Sequence, residues 1–128
     1  MPITRISTPH APTPAGHYAQ ATVHGGTVYV AGQLSIDPAT GEKLHGSIEE
    51  QTERTLRNVE AILHAAGSDF AHLLKVNVYV TDIAFWPRVN AVYARVVGAD
   101  VPARAVVPVP ALNHGLLIEI DAIAAVKG

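Results

Sequence analysis

The chain has 128 residues, enough for one domain around one hydrophobic core. It is 48% hydrophobic and only 16% charged, against a usual ~25%, so part of its surface is expected to be covered by another copy of itself. A formal charge of −2 with Lys and Arg scattered singly speaks against nucleic acid as a partner, and the absence of cysteine excludes disulfides, thiolate metal sites and thiol catalysis. No segment has the apolar length of a signal peptide or a bilayer span, so no membrane contact and a cytoplasmic location are expected.

Ile3 to Ser7 reads as a short edge strand, after which Pro9, Pro12 and Pro14 force an extended surface segment. Ala19–His24 and Thr27–Gln33 are strands joined by Gly25-Gly26, a two-residue link in which both positions accept positive φ. Val28 and Val30 face one way in the second strand, Tyr29 and Ala31 the other, and Gly32 removes a side chain near its end. Asp37-Pro38-Ala39-Thr40-Gly41 is a turn by composition.

Ser47-Ile48-Glu49-Glu50 is a capping box that opens a helix running to about Ala66, with Gly67 as its stop. Its predicted buried stripe is Leu56, Val59, Leu63 and Ala66; Glu49, Glu53, Arg54, Arg57 and Glu60 fall on the solvated face. Leu73 to Thr81 alternates as a half-buried strand, with Leu74, Val76, Val78 and Val80 inward. A second helix spans about Phe85 to Val97, with Pro87 in its first turn and Phe85, Val89, Val92, Tyr93 and Val96 on one face. Two strands follow, Val101–Pro108 and Leu116–Ala124. The prolines at 102, 108 and 110 confine the first of these to an edge or rim.

Two helices against about six strands make a single α+β domain over residues 1–128, a two-layer sandwich with a mixed sheet. One sheet face packs on the helices; the other keeps apolar residues with no helix left to cover them, which marks it as the subunit interface.

The residues that could carry chemistry are few. The seven histidines lack the spacing of a metal site, no serine sits in a nucleophile elbow, and no glycine-rich phosphate loop is present. No metal and no cofactor are expected. Arg104 differs, because it lies in an apolar strand and a guanidinium cannot neutralise itself. Either Glu119 answers it as a permanent pair, or Arg104 is a bidentate clamp for a ligand carboxylate and Glu119 acts nearby.

Several segments taken together carry a family likeness. They are Gly16-His17-Tyr18-Ala19-Gln20-Ala21, Gly32-Gln33, Asp37 to Gly41, Gln51-Thr52 with Asn58-Val59, Ala65-Ala66-Gly67, Val89-Asn90-Ala91-Val92-Tyr93, Pro102-Ala103-Arg104 and Ile118 to Ala124. In this order the chain resembles the RidA/YjgF family of enamine and imine deaminases, also called endoribonuclease L-PSP. The resemblance implies a chorismate-mutase-like homotrimer with clefts between subunits. It implies hydrolysis of 2-aminoacrylate-type imino acids to 2-keto acids and ammonia. It places the carboxylate clamp on Arg104, the water-associated glutamate on Glu119, and pocket positions on Tyr18, Ala31, Gly32, Asn90, Ala105 and Val106. The departures are Ala31 and Ala105 where the family often has serine, Val106 for a frequent cysteine, Val96-Val97 for paired phenylalanines, and Leu112-Asn113 for Leu-Pro. Two other readings follow: a trimer that binds small carboxylates or regulates a partner without turnover, and a ribonuclease, which the acidic charge balance disfavours.

Overall fold

The computed structural model covers residues 1–128. Six strands and two helices alternate as β1 (Thr4–Ile6), β2 (Ala21–His24), β3 (Thr27–Gln33), α1 (Ile48–Ala65), β4 (Leu73–Val80), α2 (Trp86–Val97), β5 (Ala103–Pro108) and β6 (Ile118–Ala125). They form one mixed sheet in the order β1-β2-β3-β6-β4-β5, with both helices on one face. Every neighbouring pair is antiparallel except β4 and β5. A parallel pair needs a long crossover, and α2 supplies it. β5, which ends on Pro108 and is flanked by Pro102 and Pro110, lies at the sheet edge, where a missing amide breaks no ladder on its outer side.

Local chemistry sets the element ends. Gly25 and Gly26 adopt φ 57° and 79°, which closes the β2–β3 hairpin between His24 and Thr27. Glu50 N donates to Ser47 Oγ at 3.1 Å and Ser47 N to Glu50 Oε1 at 2.9 Å, the capping box that starts α1. The chain leaves α1 at Gly67, φ 80°, a conformation costly for a side chain.

Leu56, Val59 and Leu63 are buried as the helical period requires, together with Ile48 and Ile62. Full burial of such a side chain contributes roughly 1.5–3 kcal/mol. Ala66 lies just past the helix and is half-buried. The buried face of α1 also carries Gln51, Thr52, Thr55 and Asn58. Gln51 Nε2 donates to Gly46 O and its Oε1 accepts from Leu117 N; Asn58 Nδ2 donates to Leu34 O and Ile36 O. These amides satisfy loop backbone that the sheet leaves unpaired. The charged face is laced by ion pairs, Arg57 to Glu53 and Glu60, and across to α2 through Arg88–Glu49 and Arg95–Glu53.

One inward assignment is corrected. In β4 the buried leucine is Leu73, while Leu74 is 49% exposed. The register against β6 shifts between Leu73 and Lys75, so a bulge turns Leu74 outward before the alternation resumes at Val76. The sheet face away from the helices is mixed. It exposes Tyr29 and Val107, and its centre holds a polar trio in which Asn77 Nδ2 and the Tyr79 hydroxyl donate to Asp121 at 2.8 and 3.0 Å. No helix is long and apolar enough to cross a membrane.

Candidate active site

Arg104 and Glu119 do not pair, and the sheet explains why. Cross-strand partners share a face, and faces alternate along a strand. Arg104 is in register with Val76, which is buried under the helices, whereas Glu119 is in register with Tyr79 on the opposite, open face. Strand β4 also lies between them, and strands two apart are separated by about 9–10 Å. The permanent ion pair that the sequence left open is therefore absent.

Arg104 is exposed yet held in place. Its Cζ lies 4.4 Å from the centroid of the Trp86 ring and 4.6 Å from that of Tyr93. Its Nη1 donates to Asn90 Oδ1 at 3.2 Å. Residues 86, 90 and 93 are spaced four and three apart on α2, so one helix face presents two rings and an amide oxygen to one cation. A guanidinium has donors on several sides, and here two rings stack on it while only Nη1 is engaged in a hydrogen bond. Asn90, Tyr93, Ala94, Gly98, Val101, Pro102 and Arg104 line a groove of about 300 Å³.

Glu119 stands in a second hollow, of about 260 Å³, lined by Tyr18, Ala31, Gly32, Leu34, Asn113 and Glu119. The β3–β6 register slips between Val30 and Gln33, which places a bulge at Ala31-Gly32 beside the carboxylate. Gly32 is a matter of room rather than of φ: a Cβ there would run into Glu119 Oε2 and come within 3.0 Å of Cδ. Burial pushes the Glu119 carboxyl above the usual carboxylate range, and the negative charge of Asp121 adds to it. Tyr18 is 52% exposed, at the end of a segment anchored by the buried Gln20. Gln20 Nε2 donates to the carbonyls of Thr8, Ala11 and Pro12, and its Oε1 accepts from Thr8 N.

The expected site residues thus fall into two groups on one chain: Asn90 with Arg104 under α2, and Tyr18, Ala31 and Gly32 with Glu119 on the open face. Ala105 and Val106 line neither cavity. Ala105 is in register with Asn77 on the open face, and Val106 packs against the core. The sequence did not single out Trp86, and it placed Tyr93 on the buried stripe and in the family-like segment without linking it to Arg104. The Trp-Asn-Tyr spacing was the available signal, but it points to Arg104 only once β5 is known to run beside α2. Asn113 in the Glu119 hollow had no local signal beyond its departure from the family pattern.

The endoribonuclease L-PSP family profile matches residues 8–126. The chain belongs to the RidA/YjgF family. A RutC family protein of Pyrococcus horikoshii is 45% identical over 93% of this chain and 94% of its own length. The 2-iminobutanoate/2-iminopropanoate deaminase of Bos taurus is 42% identical over 93% of this chain and 87% of its own. The crystal structure of E. coli TdcF with bound serine superposes with a TM-score of 0.91 at 33% identity, covering 97% of this chain and 99% of that one. The two-layer fold with its six-stranded mixed sheet is the fold of RidA/YjgF structures.

Proposed function

We propose that this RidA/YjgF protein hydrolyses 2-imino and 2-enamino acids of the 2-aminoacrylate type to 2-keto acids and ammonia, in a homotrimer whose sites lie between subunits. The observation that carries this reading is the division of the site. A fork-shaped cation without a carboxylate partner sits at an exposed sheet edge, and a half-buried carboxyl with raised pKa stands on the opposite face. Neither group can reach the other's ligand within one chain, and each is open to a neighbouring copy. The uncovered sheet face supplies the surface for that neighbour.

In this cleft Arg104 grips the substrate carboxylate by its free N–H edge and fixes the imine carbon in place. A water oxygen bonds to that carbon while Glu119 takes a water proton and delivers it to the imine nitrogen, giving the carbinolamine. Glu119 then moves the hydroxyl proton to the same nitrogen as the C–N bond breaks. Ammonia leaves, the keto acid forms and the carboxylate ends as it began. A carboxyl whose pKa lies nearer to neutrality than usual is better matched to both transfers.

The test is 2-keto acid formation from an imine generated in situ by an amino-acid-consuming enzyme. Acceleration by the native protein, lost in Arg104→Ala, is the expected result. Keto-acid binding without acceleration would favour the non-catalytic carboxylate-binding reading instead.

A further inference from the structure

Tyr93 carries a buried hydroxyl with nothing to bond. The residue is 5% exposed, and its phenolic oxygen makes no hydrogen bond of proper geometry in the protein. The nearby Arg104 guanidinium stacks over the ring, 4.6 Å from its centroid, and approaches the oxygen without hydrogen-bond geometry. Leaving a buried polar group unsatisfied costs about 1–3 kcal/mol, so phenylalanine would serve the core better here. Burial raises the Tyr93 pKa, while the Arg104 charge and the approach of its guanidinium to the phenolic oxygen work against the rise; on balance the hydroxyl keeps its proton and remains a donor.

The neighbours in the groove complete the pattern. Asn90 must turn its oxygen to Arg104, because arginine offers only donors, and this leaves the Asn90 NH₂ free. The remaining lining residues, Ala94, Gly98, Val101 and Pro102, have no polar side chain. Every unengaged side-chain polar group of the groove is therefore a donor, and a groove of donors selects an anion with several acceptor lone pairs.

We propose that the Tyr93 hydroxyl is a binding group for the ligand's carboxylate, left without a partner in the free protein and satisfied when an acid docks on Arg104. The inference rests on the reading of Arg104 as a carboxylate clamp and adds to it a donor, with discrimination of an acid from its neutral amide. Tyr93 thus trades some stability of the free protein for affinity.

The experiment is calorimetric titration of the whole protein with 2-oxobutanoate and, separately, with 2-oxobutanamide, for the native chain, Tyr93→Phe and Arg104→Ala, with melting temperatures measured alongside. Tyr93→Phe is expected to melt at the same temperature or higher, to bind the acid roughly ten-fold more weakly, a loss of about 1.4 kcal/mol, and to show a smaller acid-to-amide ratio of affinities. An unchanged Kd and ratio, or weaker binding together with a lowered melting temperature, would overturn the proposal. Loss of binding in Arg104→Ala is required by the clamp itself. If Arg104→Ala binds as well as the native chain, the clamp reading fails; if only Tyr93→Phe is silent, the clamp stands and this inference alone falls. Should Tyr93→Phe not fold, the near-ultraviolet tyrosine band of a Tyr18→Phe protein gives the second measurement. A saturable red shift on adding 2-oxobutanoate is expected, and its absence counts against Tyr93.

Discussion

The two halves of the site solve opposite electrostatic problems. Under α2, a permanent cation is oriented by ring faces and one amide oxygen, at an edge where water still reaches it. On the open face, a carboxyl is half-buried in a hollow with another carboxylate two residues away, so its charge is disfavoured. The first half suits recognition, which needs a constant charge and fixed geometry. The second suits proton transfer, which needs a group that gains and loses its proton easily. The contrast also explains why one chain holds both without their neutralising each other: β4 and the alternation of faces keep them apart.

Substitutions at three positions separate these roles, a fourth position serves as the control, and the largest effect belongs to the clamp. Arg104→Ala is expected to lower kcat/KM by roughly a thousand-fold, while Arg104→Lys keeps the charge without the fork and recovers only part of it. Steady-state kinetics of both variants would check this, and a native-like Arg104→Ala would break the contrast on the recognition side.

Glu119→Gln is expected to cost roughly a hundred-fold in kcat, the lower range for removing a general acid–base group. It should also make the protein more stable at neutral pH. A carboxyl with a raised folded-state pKa binds protons more readily when folded, so stability falls as pH rises from the unfolded value of 4.5 through the folded one. The amide removes that loss. For the same reason kcat of the native protein should rise with pH through a carboxyl pKa above 4.5. Melting curves and a pH–rate profile measure both. A Glu119→Gln protein that is less stable at pH 7 contradicts the burial argument.

Gly32→Ala tests the same half more gently. Its new methyl group meets the far end of a flexible side chain, so Glu119 swings away at little expense to the fold. We expect kcat to fall about ten-fold with the melting temperature nearly unchanged. A large loss of stability with intact kcat would show that Gly32 serves the bulge rather than the carboxylate.

Arg88→Ala lies outside both halves and should do least. Arg88 holds the Glu49 carboxyl down at about 2, so the pair favours the fold above pH 4.5 and this contribution fades as pH falls toward 2. Both groups are exposed, and salt should erase the difference. Melting at pH 7 and pH 3, with and without salt, checks this ordering.

Features governed by near neighbours were legible in the sequence. The Gly25-Gly26 hairpin, the Ser47–Glu50 capping box, the stop at Gly67 and the edge position of β5 each depend on a few adjacent residues or on proline's missing amide. Features that depend on register were not. Leu74 reads as inward until the bulge against β6 is seen, and whether Arg104 meets Glu119 turns on which residues of β4 each one faces. The buried Gln51 and Asn58 likewise look like errors on an apolar stripe until the distant carbonyls they serve are in place. The family likeness pointed to Arg104, Glu119, Tyr18, Ala31, Gly32 and Asn90, which line the two cavities, and to Ala105 and Val106, which line neither; it gave no sign of the aromatic cradle or of the placement of Arg104 and Glu119 on opposite faces.

Mixing subunits tests that division most directly. Arg104→Ala and Glu119→Gln, each expected to keep about a hundredth of native activity or less alone, are unfolded together in equal amounts, refolded and assayed for 2-keto acid formation. If a site takes its arginine from one chain and its glutamate from the next around a trimer, random assembly restores roughly a quarter of native activity. If both groups serve a site within one chain, every chain carries a defect and the mixture stays as inactive as its parents.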